Sequence, residues 1–284
     1  MITNYKDLPE NLLFSVPIQK RKPGNQGTRK RRKYKDMVCA FDIETTRLDD
    51  RHSIMYIWQF QFGLDHTVTG RSWKECIRFF KRLAASCGDN EYYVIFVHNL
   101  SFEFQFLAGQ YAFTNDEVFA VDSRKILKCD MYDHLEFRCS YLHSNLSIEE
   151  YLRKMGVQDQ KLSGSEYDYD KLRYPWTPLT PKELQYCVND VKGLVEAMYV
   201  EMHLDDDNLY TFPLTSTGYV RRDVKAAMRE ISPFFRSSAA AELGYICTTA
   251  GSIQGRKYPC EQVLRRADSF GREKRGPFKF ISGY

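Results

Sequence analysis

CAFDIETT, residues 39–46, sets two acids, Asp42 and Glu44, two positions apart inside an apolar run. In a β-strand successive side chains alternate between faces, so these two carboxylates would point the same way. Like charges held that close repel unless a cation lies between them. An Asp-x-Glu pair is also common on solvated surfaces. On these residues alone a solvated pair and a cation-binding pair both stand.

Two more stretches bear on that choice. VHNLSFEFQF (97–106) sets Asn99 and Glu103 directly after an apolar run, YYVIFV (92–97), that reads as a central strand. YCVND (186–190) places Tyr186 and Asp190 four apart, on one face of a helix. Each is weak alone, since the first is an ordinary helix start and the second ordinary surface chemistry. Together they bring four carboxylates from three separated elements. Two hard divalent cations need such a ligand set, and a pair about 3.5–4 Å apart can clamp both the attacking and the leaving oxygen of a phosphodiester.

The surrounding texture is that of an α/β domain. MVCAFDIET (37–45) and IMYIWQFQF (54–62) read as strands, with further strands at 117–122, 125–131 and 135–141. SWKECIRFFKRLAASC (72–87) carries Trp73, Cys76, Ile77, Phe80 and Leu83 at helical spacing. A short helix opens with Ser147 and Glu150 as a capping box. A long one opens with Thr180, Pro181 and Glu183, and buries Leu184, Val188, Val191, Val195 and Met198. A last helix is expected over 216–231.

Composition bounds the class. The chain has 284 residues, 43% of them hydrophobic, enough for a sizeable core. No run reaches the roughly 18 apolar residues of a membrane span, and the first residues lack a secretory pattern. The eight cysteines form no C-x-x-C pair and read as reduced thiols of a cytoplasmic protein. Net charge is +4, but residues 20–35 hold nine basic residues and no acid. With Gly and Pro interspersed, residues 1–36 are expected as a basic disordered arm, either inert or attracted to phosphates.

FDIETT, HNLSFE and YCVND, in this order, resemble the three exonuclease motifs of 3′→5′ proofreading enzymes. Closer still, they resemble the protein-primed family B DNA polymerases of phages and linear plasmids. YDYDKLRYPWTPLTPKELQYCVNDVKGLVEAM (167–198) reads like that family's approach to its third motif, and TSTGYVRRDVKAAM (215–228) like the helix after it. The resemblance covers roughly residues 37–231. It implies a ribonuclease H-like exonuclease fold, a central mixed β-sheet flanked by helices. It also implies a 3′→5′ exonuclease domain over 37–203 and a lead-in to an absent polymerase domain, with an irregular tail, over 204–284.

Carried over position by position, the resemblance has Asp42 bridging two Mg²⁺ ions, for which Mn²⁺ can substitute. Glu44 and Asp190 hold the first ion, Glu103 supports the second, and Tyr186 orients the attacking water. Thr45, His98, Asn99 and Phe102 would hold the 3′ end of single-stranded DNA, and Lys161 would steady the scissile phosphate. Further implied partners are a terminal protein or a separately encoded polymerase part, with no membrane; a phage-encoded chain would act in the host cytoplasm. Two departures stand out. The family has Asp where this chain has Glu103, and its polymerase motifs do not occur before the sequence ends. A free-standing 3′→5′ exonuclease and a non-catalytic single-strand-binding remnant are the rivals.

Overall fold

Fifteen residues, Lys33–Arg47, form the longest strand, β2, and organise everything around it. The computed structural model describes residues 1–9, 16–21, 32–122, 124–157, 168 and 170–231, with side chains to 224. The other strands are β1 (Ile2–Asn4), β3 (Ser53–Phe62), β4 (His66–Gly70), β5 (Glu91–Val97), β6 (Val118–Asp122), β7 (Lys125–Met131) and β8 (Leu135–Cys139). The helices are α1 (Trp73–Ala85), α2 (Leu100–Ala108), α3 (Ser140–Ser144), α4 (Ile148–Lys154), α5 (Pro181–Leu204) and α6 (Ser216–Ile231). One eight-stranded sheet has the order β1-β4-β3-β2-β5-β8-β7-β6. The β2-β5-β8 centre is parallel and β3 and β7 run antiparallel to their neighbours, so the sheet is mixed.

The two faces of β2 bury different partners, as the strand period requires. Odd positions Cys39, Phe41 and Ile43 pack with Phe60 and Phe62 of β3 against Phe79, Phe80 and Leu83 of α1 and against Leu100, Phe104 and Leu107 of α2. Even positions Val38 and Ala40 join Val94 and Phe96 of β5 under Val191, Leu194, Val195 and Met198 of α5. Each of these large side chains contributes about 1.5–3 kcal/mol by leaving water, so both layers hold β2 fixed. Asp42 and Glu44 continue the even row toward α5. Gly193 lets α5 approach α4 closely, because a Cβ there would lie 2.9 Å from Leu152 Cδ1.

The expected helix starts are present. Ser147 and Thr180 accept from the backbone N–H of Glu150 and Glu183, whose carboxylates return to the cap N–H groups. Of the stripe expected on α5, Val188, Val191, Val195 and Met198 are buried, while Leu184 is half-buried.

Two boundaries differ from expectation. Parts of the expected disordered arm are built into the sheet. Ile2–Asn4 pairs in parallel with β4, and Lys33 to Asp36 begin β2. The reason is that the basic run is partly neutralised by acids distant in sequence: Lys35 is buried on Glu91 at 2.7 Å, and Arg32 lies on Asp130 and Glu136. Residues 22–31 lie outside the described residues. At the other end the first compact unit runs past 203 to Leu214, because Leu209 and Phe212 pack into the α5 layer. The second unit, Thr215–Gly283, begins with the expected helix α6; residues 232–284 lie outside the described residues. Among the described residues no helix is long and apolar enough to cross a membrane.

Candidate metal centre

Parallel pairing of β2 and β5 sets Ala40 opposite Phe96, so Asp42 comes level with the residues that leave β5 at its carboxyl end, His98 and Asn99. The chain turns there through Asn99, whose left-handed backbone (φ 66°) suits asparagine better than most residues, and enters α2. Glu103 sits in the first turn of that helix and is buried. From the opposite side α5 presents Asp190. Carboxylate oxygens of Asp42, Glu44 and Asp190 all lie within 4.8 Å of one another. The cation-binding reading of the opening acid pair therefore gains its third ligand from 146 residues further along the chain.

Local structure fixes this geometry. Gln59, directly across from Asp42 on β3, donates from Nε2 to Asp42 Oδ2 at 2.8 Å and is fully buried. Glu44 lies opposite Ile57, and the register slips immediately after it, leaving Tyr56 as an extra residue on β3. Such a bulge bends and twists the strand where the acids are presented. Tyr186, one turn before Asp190 on α5, is buried with Cys187 against Tyr56 and Ile57.

The acids perturb one another. Burial, and then the Asp190 carboxylate, push the Asp42 carboxyl up to about 7. Burial, and then Asp42, raise Glu103 well above the ordinary glutamate range. Glu103 Oε2 is buried with no hydrogen-bond partner among the described residues. A set of oxygen-only donors whose members resist ionising together, with a buried oxygen left over, fits a hard divalent cation.

The other expected residues divide. His98 Nδ1 lies 3.0 Å from Ser140 Oγ and its ring meets Tyr141 edge-on. Phe102 is exposed beside Phe106, and Thr45 follows the bulge opposite Met55. Thr45, His98, Asn99 and Phe102 thus stand on the β2 and β5–α2 segments that carry Asp42, Glu44 and Glu103. Lys161 lies outside the described residues. Sequence reasoning missed Gln59, for which the only signal is a polar residue inside the apolar run IMYIWQFQF. It also missed Arg173, which is buried, donates its backbone N–H to Thr46 Oγ1 at 3.0 Å, and puts both Nε and Nη2 on Glu183 Oε1.

No protein-family model matches the chain, and no curated protein matches it by sequence. Solved structures do. Phi29 DNA polymerase complexed with primer-template DNA and incoming nucleotide substrates aligns with a TM-score of 0.56 at 14% identity, covering 75% of this chain and 38% of that one. The fold is a ribonuclease H-like exonuclease fold. A second structure, phi29 DNA polymerase complexed with single-stranded DNA, aligns with a TM-score of 0.51 at 14% identity over 61% of this chain and 33% of that one. The chain therefore spans well under half the length of the polymerases it is similar to.

Proposed function

We propose that this chain is a 3′→5′ exonuclease that hydrolyses terminal phosphodiesters of single-stranded DNA, as the exonuclease region of a protein-primed family B DNA polymerase. The observation that carries the reading is the convergence of Asp42, Glu44 and Asp190 on one point, with the buried Glu103 beside Asp42. The ordered sequence motifs and the likeness to phi29 DNA polymerase support it.

Asp42, Glu44 and Asp190 would hold a divalent cation, Mg²⁺ or Mn²⁺, with Glu103 as the fourth carboxylate for a second. Bound there, the ions would supply charge to offset that developing on the phosphate oxygens. The chain does the rest. The Gln59 amide keeps Asp42 in one orientation. Thr45, His98, Asn99 and Phe102 hold the terminal nucleotide, and the Tyr186 hydroxyl orients the water. Lys161 steadies the scissile phosphate. Attack by that water on the terminal phosphorus breaks the bond to the preceding 3′ oxygen, which leaves as a new 3′ hydroxyl. The product is a nucleoside 5′-monophosphate.

A 5′-labelled single strand tests this. The full chain in Mg²⁺ should shorten it one nucleotide at a time from the 3′ end, and EDTA should stop the reaction. Shortening that persists in excess EDTA, or that proceeds from the 5′ end, contradicts the reading.

A further inference from the structure

On the loop leading into α5, a large aromatic side chain stands prominently in water. Trp176 is 75% exposed. Its ring stacks on Tyr174, with centroids 5.0 Å apart and planes only 3° from parallel. Nothing in ordinary folding favours leaving an indole so open, yet the backbone beneath it is held firmly. Tyr174 to Thr177 form a tight turn closed by Thr177 N–H on Tyr174 O at 2.9 Å and by Tyr174 N–H on Thr177 Oγ1 at 2.9 Å. Pro175 occupies the second position of that turn, where its fixed φ is preorganised.

Two arginines then rivet the turn to the sheet. Arg71 Nη2 donates to Tyr174 O at 3.0 Å and to Thr177 O at 2.7 Å, while its Nε donates to Tyr56 O at 2.6 Å. Arg173 is buried on Glu183 and reaches Thr46 through its backbone N–H. Tyr56 is the bulged residue beside Ile57, the cross-strand partner of Glu44, and Thr46 is two residues beyond Glu44. Strand and chain dimensions cap the Glu44–Trp176 backbone separation at roughly 25 Å. The exposed stack thus sits on a rigid mount within a few nucleotides' reach of the carboxylates.

We propose that the Tyr174–Trp176 stack is a nucleobase platform, on which a base of the single strand stacks while the strand's 3′ end lies at the carboxylates. This inference rests on the exonuclease reading for its substrate. The chemistry is the flat face of an aromatic ring offered to the flat face of a base, which is sequence-tolerant because every base has one. Preorganisation by Pro175, Arg71 and Arg173 means that little motion is lost when the base docks.

The experiment is a fluorescence titration of the full chain with an oligothymidylate of about ten nucleotides in EDTA, a length within the range one single-strand site covers. Cleavage in Mg²⁺ is followed in parallel. Trp58 is buried and Trp73 half-buried, so of the three tryptophans Trp176 should respond most to a stacked base. The platform predicts quenching in the parent chain. Trp176→Leu should lose the quenching and bind about tenfold more weakly, the loss expected for one stacked base. Trp176→Phe should bind nearly as well as the parent. Hydrolysis of a small thymidine 5′-monophosphate aryl ester, which has no neighbouring bases, should be equal in Trp176→Leu and parent. Unchanged oligonucleotide affinity in Trp176→Leu, with 3′ cleavage intact in the parent, overturns the platform and leaves the exonuclease reading standing. Binding with quenching but no 3′ cleavage in Mg²⁺ overturns the exonuclease reading and keeps the platform.

Discussion

Two groups of acids are anchored on the same sheet, and their surroundings are opposite. On β7 and β8, Asp130 and Glu136 face cations. Arg32 bonds both carboxylates, Arg138 Nη2 lies 2.6 Å from Glu136, and Lys128 lies 3.5 Å from each acid. Burial alone would raise Glu136, but Arg138, Lys128 and Arg32 more than reverse it and hold the carboxyl down at about 2. At the carboxyl ends of β2 and β5, Asp42 instead faces the carboxylate of Asp190, the carboxyl of Glu103 and the amide of Gln59, and its carboxyl rises to about 7. The first group is neutralised by side chains of its own chain. The second is held together by packing that favours proximity over charge balance, an imbalance that a divalent cation would offset.

The comparison can be broken most forcefully at the second group. Asp42→Ala or Asp190→Ala should lower 3′ cleavage by several orders of magnitude, because each deletes a ligand whose charge offsets the ion's. Asp190→Ala should not lower the melting temperature in EDTA, since removing one of two repelling acids relieves the metal-free site, whereas Asp42→Ala also leaves the buried Gln59 amide without its acceptor. A large loss of stability in Asp190→Ala in EDTA would make that acid part of the scaffold. Glu103→Gln keeps the length and removes the carboxylate that Glu103 would offer an ion, so cleavage should fall sharply at unchanged stability. Glu103→Asp keeps the charge on a shorter arm and should retain or raise activity. Equal rates for Glu103→Gln and parent at saturating Mg²⁺ would remove Glu103 from the ligand set.

The first group should answer in the opposite sense. Arg138→Met leaves Glu136 and the Tyr34 hydroxyl that donates to it short of a cation, and should cost about 3 kcal/mol of stability by denaturant unfolding. At a temperature where the variant remains folded, its cleavage per folded molecule should match the parent's. Acid gives the same information without mutation. Because the Glu136 carboxyl is depressed in the folded chain, its stabilisation is complete above the ordinary glutamate value near 4.5. It is lost as pH falls from there toward about 2, on the order of 3 kcal/mol in all. Glu136→Gln should flatten that acid limb of the stability curve, and an unchanged limb would mean that the cluster is not what holds the protein together in acid.

The smallest effect is expected at Tyr186. Tyr186→Phe keeps a ring buried against Tyr56 and Ile57 and removes only the hydroxyl, so turnover should slow while binding of single-stranded DNA stays close to normal. A matching loss of binding would make Tyr186 a substrate-holding residue.

How much of this was legible beforehand follows from the range of each interaction. The strands β2, β3 and β5 announce themselves by β-branched and aromatic runs, and α5 by its capping box, because those signals are local. The carboxylate site was legible because three short motifs each carry their own acid. β4, HTVTG, was not, since Thr67 and Thr69 are buried only because the sheet continues past them: Thr67 donates to Gln61, and β1 pairs beyond. Gln59 was invisible for the same reason; its role depends on standing across from Asp42. The Arg32–Glu136 pair joins residues 104 apart in sequence, so a basic segment that reads as a disordered arm proves to end inside the sheet. What single-sequence reasoning misses here is partnership across strands, not the type of element.

The central claim is that the Asp42–Glu44–Asp190 group takes its missing positive charge from a divalent ion. Calorimetric titration of the metal-free chain with Mn²⁺ measures this without any nucleic acid. The account predicts saturable binding that is abolished in Asp190→Ala and unchanged in Glu136→Gln, with protons released from the raised carboxyls as the metal enters. Binding that survives Asp190→Ala unaltered, or no binding by the parent chain at millimolar Mn²⁺, would contradict it.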